Sequence, residues 1–196
     1  MKLAVILFSI SWLLLFGCKN FSVSVNETYE DLNETEKDSL KPIAFDKSKI
    51  NSSAAIMEIN DVQLKELVQR TDSTWLYIWA TSCPPCVKGM YKFNTKNLPQ
   101  SENQQLIILS VDNYINKNKV DEIMKDSAID YTTFIYKSDN STSYLTRPRL
   151  KEIKEYLCGG CEVMDAYPTN LFFHDDLYLY HKQSGIVSKS DITKYF

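Results

Sequence analysis

Continuous apolar runs alternate with polar stretches over most of the chain. Two of these runs, Thr74–Ala80 and Leu106–Val111, contain few polar side chains and predict strands that are buried on both faces. Shorter runs predict further strands at Ala54–Ile59, Thr132–Tyr136, Asn170–Phe173 and Leu177–Tyr180. The last two are separated by turn residues and predict a hairpin. The aromatic residues of these runs, including Tyr178 and Tyr180, are expected to lie in the core.

Between the strands, apolar residues recur at helical spacing. A stripe of four, Val62, Leu64, Leu67 and Val68, follows Asp61, which is expected to cap a helix that ends near Arg70. Other helices are predicted from the first cysteine pair to about Lys96, over Lys119–Ile129, over Arg149–Leu157 and from Ser188 to Phe196. Strands that alternate with helices and end in a hairpin predict an α/β domain, with a central mixed sheet flanked by helices.

The first residues are typical of a targeting segment. Lys2 supplies a positive charge, and Leu3–Phe16 form an apolar run shorter than the ~20 residues of a membrane-spanning helix. The run ends in Gly17-Cys18 and resembles a bacterial lipoprotein signal, whose cysteine becomes the first mature residue and carries lipid. The alternatives are an ordinary signal peptide and an uncleaved anchor. All three predict a domain outside the cytoplasm, where disulfides persist.

Polarity and charge predict the domain boundaries. After a signal peptide at residues 1–17, residues 18–50 are polar and acidic without sustained apolar periodicity, which predicts a flexible tether behind the lipidated Cys18. Residues 51–196 are predicted to form the folded domain. The chain of 196 residues has a formal net charge of −3, and this lack of basic excess argues against a nucleic-acid partner.

The five cysteines divide into a lipidation site and two Cys-x-x-Cys pairs. Lipidation of Cys18 accounts for the odd number, which in an exported protein requires an explanation. The first pair, Cys83-Pro84-Pro85-Cys86, follows a predicted buried strand and opens a predicted helix.

The start of a helix favours a reactive thiolate at Cys83, because free N–H groups and a partial positive charge meet there. A free thiol has a pKa of roughly 8.5, and Cys-x-x-Cys thiols at helix starts have values of about 7 or lower. Cys83, nearer the helix end, is predicted to attack a disulfide, and Cys86, one turn further in, to resolve the mixed disulfide. Pro84 and Pro85 suit a first turn, where missing N–H groups cost little.

At these residues the chain resembles the thioredoxin superfamily, and within it the membrane-anchored TlpA-like proteins. Trp79-Ala80-Thr81-Ser82-Cys83-Pro84-Pro85-Cys86 is similar to their Trp-Ala-Thr-x-Cys-x-Pro-Cys signature, and Tyr167-Pro168-Thr169 to their cis-proline loop. Gly185 is a weaker match, and the resemblance spans Ala54–Phe196. It implies a thioredoxin-like fold with an extra N-terminal strand and an insertion before the cis-proline loop. It also implies a cis bond at Pro168, and substrate contacts from Trp79, Pro84, Pro85, Tyr167, Pro168 and Thr169.

Two positions depart from that family. Thioredoxin has a buried acid six residues before its first cysteine, where this chain has Tyr77. Related reductases of cytochrome maturation often have a glutamate three residues after the second cysteine, where this chain has Gly89. Asp112, after the strand Leu106–Val111, is either a substitute proton acceptor or a turn residue that ends the strand.

The second pair, Cys158-Gly159-Gly160-Cys161, follows a predicted helix and ends seven residues before Pro168. A helix C-terminus carries partial negative charge, so Cys158 is expected to be a poorer nucleophile than Cys83. Three interpretations stay open: a local structural disulfide, a redox partner of the first pair, and a metal site made by both pairs. The other candidate ligands, His174 and His181, are expected on the surface.

These features predict a lipoprotein that faces the periplasm or the cell exterior and reduces protein disulfides. Its partners are then protein disulfides and a membrane thiol donor, and its chemistry needs neither a cofactor nor a metal. The competing hypothesis is a non-catalytic module of the same fold that uses its cysteine pairs for metal binding or for stability.

Overall fold

The computed structural model describes residues 33–35, 43, 45–46, 50, 55–92, 102–138, 146–162, 166–175 and 177–195. Along the domain the elements are β1 (Ile56–Ile59), α1 (Asp61–Val68), β2 (Ser73–Trp79), α2 (Pro84–Lys92), β3 (Gln104–Ser110), a 3₁₀ turn (Tyr114–Asn116), α3 (Lys117–Asp126), β4 (Thr133–Tyr136), α4 (Thr146–Cys158), β5 (Thr169–His174), β6 (Tyr178–Ser184) and α5 (Lys189–Tyr195). The predicted strands and helices are all found, with ends shifted by a few residues. The predicted end of α2 near Lys96 lies outside the described residues.

The six strands form one mixed sheet in the order β1-β4-β3-β2-β5-β6. The first four strands of this order run parallel. β5 pairs antiparallel with β2, and β6 pairs antiparallel with β5. All seven residues of β2 are buried, because it lies inside the sheet and both of its faces are covered. The cysteine pair therefore leaves the sheet from a strand whose residues are all buried.

Helices cover both faces of the sheet. From β2 through α2 to β3, and from β3 through α3 to β4, the chain moves in one direction across the sheet, whereas from β1 through α1 to β2 it moves in the other. Because crossovers between parallel strands are right-handed, α1 lies on the face opposite α2 and α3. The contacts agree, since α2 packs beside α3 and α1 packs beside α4. This arrangement, with α3, β4 and α4 inserted before the cis-proline loop, confirms the thioredoxin-like fold class.

Reciprocal hydrogen bonds cap two of the helices. The Asn60 side chain accepts from the Gln63 N–H at 3.0 Å, and the Gln63 side chain accepts from the Asn60 N–H at 3.0 Å. The prediction of Asp61 as the cap of α1 is thus wrong by one residue, because Asp61 is the first helical residue and accepts a hydrogen bond from the Tyr136 hydroxyl. Ser188 caps α5 as predicted, since its hydroxyl accepts from the Asp191 N–H at 3.2 Å.

The prediction that Tyr178 and Tyr180 belong to the core is wrong. Their side chains are 67% and 53% exposed, whereas Leu179 between them is half-buried and packs against the core. The reason is that β6 is the edge strand, with one face turned to solvent. An alternating strand and a fully buried strand have similar composition when tyrosine supplies the exposed positions.

Part of the predicted tether contacts the domain. The Ile43 carbonyl accepts a hydrogen bond from the Glu58 N–H at 3.2 Å, and the ring of Phe45 lies 6.2 Å from that of Phe134. Ile43 and Phe45, which precede the predicted boundary at residue 51, thus contact the domain. The predicted signal segment and Cys18 lie outside the described residues. Among the residues that are described, no helix has the length and apolar character needed to cross a membrane.

Candidate active site at the first cysteine pair

Cys83 occupies the capping position directly before α2, as the sequence predicts. Its carbonyl accepts from the N–H groups of Cys86 at 3.0 Å and Val87 at 3.1 Å, which begins the helical pattern. Its sulfur accepts from the Cys86 N–H at 3.2 Å. The two intervening residues, Pro84 and Pro85, have no N–H, so Cys86 carries the first amide of the helix that can reach this sulfur.

The two sulfurs are joined in a disulfide and differ in accessibility. Cys83 is 9% exposed and Cys86 is fully buried, so only Cys83 can be approached from solvent. Ser82, Pro84 and Pro85 around it are exposed, whereas the side chains of Trp79 and Thr169 are completely buried. Of the predicted substrate contacts, these two side chains are thus not available at the surface; they support the site from behind.

The cis-proline loop begins β5 at the same end of the sheet. The Tyr167–Pro168 peptide bond is cis, which confirms that prediction. Ile78 near the end of β2 pairs with Thr169, so Pro168 directly precedes β5 at the edge from which β2 leads into the cysteine pair. Pro168 is buried, and Tyr167 is half-buried and packs against the core.

Two residues hold this loop: Asn170 near the start of β5, and Gly185 directly after β6. The Gly185 N–H donates to the Pro168 carbonyl at 2.7 Å, and Gly185 has a φ of +93°, which favours glycine. Asn170, fully buried, donates to the carbonyls of Gly185 at 2.9 Å and Gln183 at 3.2 Å. Its own side-chain oxygen accepts from the indole N–H of Trp75 at 3.1 Å. One amide thereby joins β2, β5 and the turn that fixes the proline.

Tyr77 and Gly89, the two departures from the family, lie next to each other in the fold. A Cβ on Gly89 would lie 3.4 Å from the Tyr77 hydroxyl and 3.3 Å from Cγ1 of Ile186. Burial raises the pKa of Tyr77 above its ordinary value, so its phenol remains neutral where thiols titrate. Neither position supplies a carboxylate.

Asp112 is buried beside the loop that leads to Cys83. Its carboxylate accepts from the Thr81 N–H at 2.8 Å, from the Thr81 hydroxyl at 2.9 Å and from the Ser110 hydroxyl at 2.6 Å. The buried Arg149 of α4 donates to the backbone carbonyls of Asp112 at 2.7 Å and Val111 at 3.2 Å. Asp112 lies in the bend that follows β3, and in addition it is bonded to the active-site loop.

The second pair, Cys158 and Cys161, forms its own disulfide at the end of α4. Both residues are half-buried. Gly159 and Gly160 between them have φ values of +59° and +76° and turn the chain out of the helix. In the described part of the chain, no three His, Cys, Asp or Glu side chains are grouped to hold a metal ion, so the shared metal site is not formed there.

The two histidines, expected on the surface, are half-buried and each contacts a neighbouring side chain. The Nδ1 of His174 lies 2.9 Å from the Ser73 hydroxyl, and the ring of His181 stacks on Tyr195 at 3.7 Å. Both are half-buried within the described hairpin.

Sequence reasoning missed the roles of Thr81, Arg149 and Asn170. Each is a polar residue made important by a partner distant in sequence, for example Asn170 with Trp75. The one available signal was a polar residue within an apolar strand, as Asn170 is at the start of β5.

Several solved structures are similar to this chain over part of its length. No family model matches the chain, and no curated protein matches it. StoA from Bacillus subtilis is 15% identical over 66% of this chain and 85% of its own, with a TM-score of 0.47. A thioredoxin-related protein from Neisseria meningitidis serogroup B is 17% identical over 64% and 82%, with a TM-score of 0.45. A DsbF homologue from Corynebacterium diphtheriae is 17% identical over 78% and 89%, with a TM-score of 0.43.

Proposed function

We propose that this chain is a thiol–disulfide oxidoreductase that reduces protein disulfides through Cys83 and Cys86. The observation that carries the proposal is the asymmetry of the pair. Cys83 caps a helix, is reachable from solvent and receives a backbone N–H at its sulfur, whereas Cys86 is fully buried behind it. A thiolate needs these donors, and a resolving thiol needs protection from outside disulfides.

In the proposed reaction the Cys83 thiolate attacks one sulfur of a substrate disulfide. The substrate S–S bond breaks, a mixed disulfide forms, and the first substrate thiolate leaves and takes a proton from water. Cys86 attacks the Cys83 sulfur, and its proton passes to the second substrate sulfur, which leaves as a thiol. Two electrons pass from the cysteine pair to the substrate, and the pair ends as the disulfide present in the structure.

The cis-proline loop is proposed as the place where the substrate backbone lies. Pro168 directly precedes β5, at the end of the sheet where β2 leads into the cysteine pair. Its carbonyl already accepts a hydrogen bond from the Gly185 N–H. The half-buried Tyr167 and the exposed Pro84 and Pro85 then form the surface that a substrate meets. This arrangement binds peptide backbone and is compatible with many substrate sequences.

We further propose that the domain lies outside the cytoplasm and that Cys18 carries a lipid. This proposal is supported by the apolar segment Leu3–Phe16 and by the disulfides at both cysteine pairs, which persist in oxidising compartments. A dithiol in the membrane would then return electrons to Cys83 and Cys86. Incorporation of labelled palmitate into the wild-type chain, and its loss in Cys18→Ala, tests the anchor.

The decisive experiment for the redox reaction is a trapping variant, Cys86→Ser. Without the resolving sulfur, Cys83 should accumulate mixed disulfides with substrates, visible as higher-mass bands that a reductant removes. Cys161→Ser is the matched control, because it removes the second cysteine of the other pair and should trap nothing. If Cys161→Ser traps partners and Cys86→Ser does not, the proposed pair is the wrong one.

The second candidate is a non-catalytic module, and the observation that favours it is the neutral Tyr77 with Gly89 where related proteins have acids. It predicts a Cys83 thiol with an unshifted pKa of about 8.5 and no exchange with glutathione disulfide. Titration of the thiolate absorbance of the reduced protein separates the two. A value below about 7.5, with exchange, supports the oxidoreductase.

A further inference from the structure

The carboxylate of Asp112 is 4% exposed and bonded to three donors. Two of them, the N–H and the hydroxyl of Thr81, belong to the loop between β2 and the cysteine pair, and the third is the hydroxyl of Ser110. An ionised carboxylate has only acceptor sites, so all three donors are satisfied together. A carboxylate engaged in this way holds the residues that donate to it.

Thr81 lies two residues before Cys83, in a loop in which Trp79, Ala80 and Thr81 each form hydrogen bonds. The Trp79 carbonyl accepts from the Val111 N–H at 3.0 Å, and the Ala80 carbonyl accepts from the Cys83 N–H at 3.1 Å. Asp112 supplies the bonds at Thr81, between these two points. The loop therefore reaches Cys83 in one backbone arrangement, in which the sulfur receives the Cys86 N–H.

Arg149 fixes Asp112 from the other side. Its guanidinium donates to the Asp112 carbonyl at 2.7 Å, and the residue is 6% exposed. Burial lowers the pKa of Arg149, and the nearby carboxylates of Asp112 and Glu152 oppose that shift. The buried negative charge beside the active-site loop thus has a buried positive charge as its neighbour.

We propose that Asp112 is a positioning residue for the reaction: through Thr81 it holds Cys83 at the capping position where the Cys86 N–H stabilises its thiolate. The inference rests on the proposed function of the first pair. It assigns Asp112 neither contact with substrate nor transfer of a proton, because its oxygens already accept from Thr81 and Ser110. A loosened loop loses part of the stabilisation that a helix N-terminus gives to an anion.

The test compares Asp112→Ala and Asp112→Asn with the wild type in the reduced, full-length protein. Alkylation of Cys83 by iodoacetamide is followed from pH 5 to 10, with Cys18→Ser, Cys86→Ser, Cys158→Ser and Cys161→Ser in the background so that one thiol reports. For Asp112→Ala we expect the Cys83 pKa to rise by about half a unit and the rate at pH 7 to fall about threefold. Asn keeps an acceptor for Thr81, so Asp112→Asn should stay within twofold of the wild type.

A second pair of variants keeps the inference testable if Asp112→Ala fails to fold. Thr81→Val removes the hydroxyl at nearly constant shape and should raise the Cys83 pKa by a smaller amount than Asp112→Ala. Thr81→Ser keeps a hydroxyl and should give the pH dependence of alkylation seen in the wild type. Folded Asp112→Ala or Thr81→Val with an unchanged Cys83 profile would overturn the positioning role. So would an equal loss of glutathione exchange in Asp112→Asn and Asp112→Ala, which is the signature of a proton acceptor. If the wild type itself does not exchange with glutathione, the proposed function fails, while the alkylation profiles still decide the role of Asp112.

Discussion

The Tyr77 hydroxyl lies 3.4 Å from the point that a Cβ on Gly89 would occupy. Gly89 follows Cys86 by about one helical turn, so the two residues share a side of α2. A Cβ at Gly89 would be in ordinary contact with the phenol, and its tighter contact would be with Cγ1 of Ile186 at 3.3 Å. At these two positions the site has a neutral hydroxyl and no carboxylate.

Tyr77→Phe should make the protein more resistant to alkali. Burial raises the pKa of Tyr77 in the folded state, so the neutral phenol contributes stability that is fully present below the unfolded pKa of about 10 and is lost as the pH rises further. Between pH 10 and 11 the wild type should lose up to about 1.4 kcal/mol more of its unfolding free energy than Tyr77→Phe. Urea unfolding at pH 8 and pH 11 measures this difference. Tyr178→Phe, at an exposed position, should behave like the wild type.

Pro85→Ala should lower the pKa of Cys83, and Pro84→Ala should not. A capping side chain accepts from the second or third helical N–H, and in this chain the second position is Pro85. Alanine there adds a donor to the thiolate, which is worth about 0.3–1 kcal/mol, or about 0.2–0.7 pKa units. Thiolate absorbance against pH gives the value. Equal shifts in both variants would show that the effect is backbone flexibility rather than the new N–H.

The double substitution Cys158→Ser with Cys161→Ser should lower stability and leave exchange intact. Closing so short a loop stabilises a protein by about 2 kcal/mol in the chain-entropy model. The pair follows the C-terminus of α4, where partial negative charge opposes a thiolate. Urea unfolding should give this loss, with glutathione exchange within twofold of the wild type. An exchange rate that drops more than tenfold at unchanged stability would instead identify a redox partner of the first pair.

Asn170→Ala should destabilise the fold and slow exchange. It leaves the Trp75 N–H and the carbonyls of Gln183 and Gly185 without their partner, at a cost of about 3 kcal/mol. It also frees Gly185, whose N–H holds the Pro168 carbonyl. His174→Ala, at the far end of the same strand, is the control: it should cost about 1 kcal/mol and leave exchange unchanged. Equal exchange rates in both variants would separate Asn170 from the site.

The sequence was sufficient to predict the order of elements and the position of Cys83 at the start of a helix. Trp75-Leu76-Tyr77-Ile78-Trp79 has no polar residue that would face solvent, and it belongs to a strand whose residues are all buried. Cys83 follows such a strand and precedes two prolines, which limits it to a helix start. Both conclusions depend on neighbours in the sequence, where periodicity and capping rules apply.

What could not be predicted depends on residues that meet only after folding. Thr81 and Asp112 are 31 residues apart in sequence, and Trp75 and Asn170 are 95 apart. No local pattern distinguishes a buried Asp that holds a loop from an exposed one that ends a strand. The same holds for Tyr180, whose exposure is decided by the position of β6 at the edge of the sheet.

The bond from Gly185 to Pro168 also determines when the site becomes complete during synthesis. Gly185 is made 99 residues after Cys86, so the first pair emerges long before the turn that holds the proline. In the meantime β2 lacks its antiparallel neighbour β5, and the two thiols meet oxidants without the loop that belongs at that end of the sheet. Until Gly185 has been made, the first pair is therefore without the bonded proline loop that the folded domain places at the same end of the sheet.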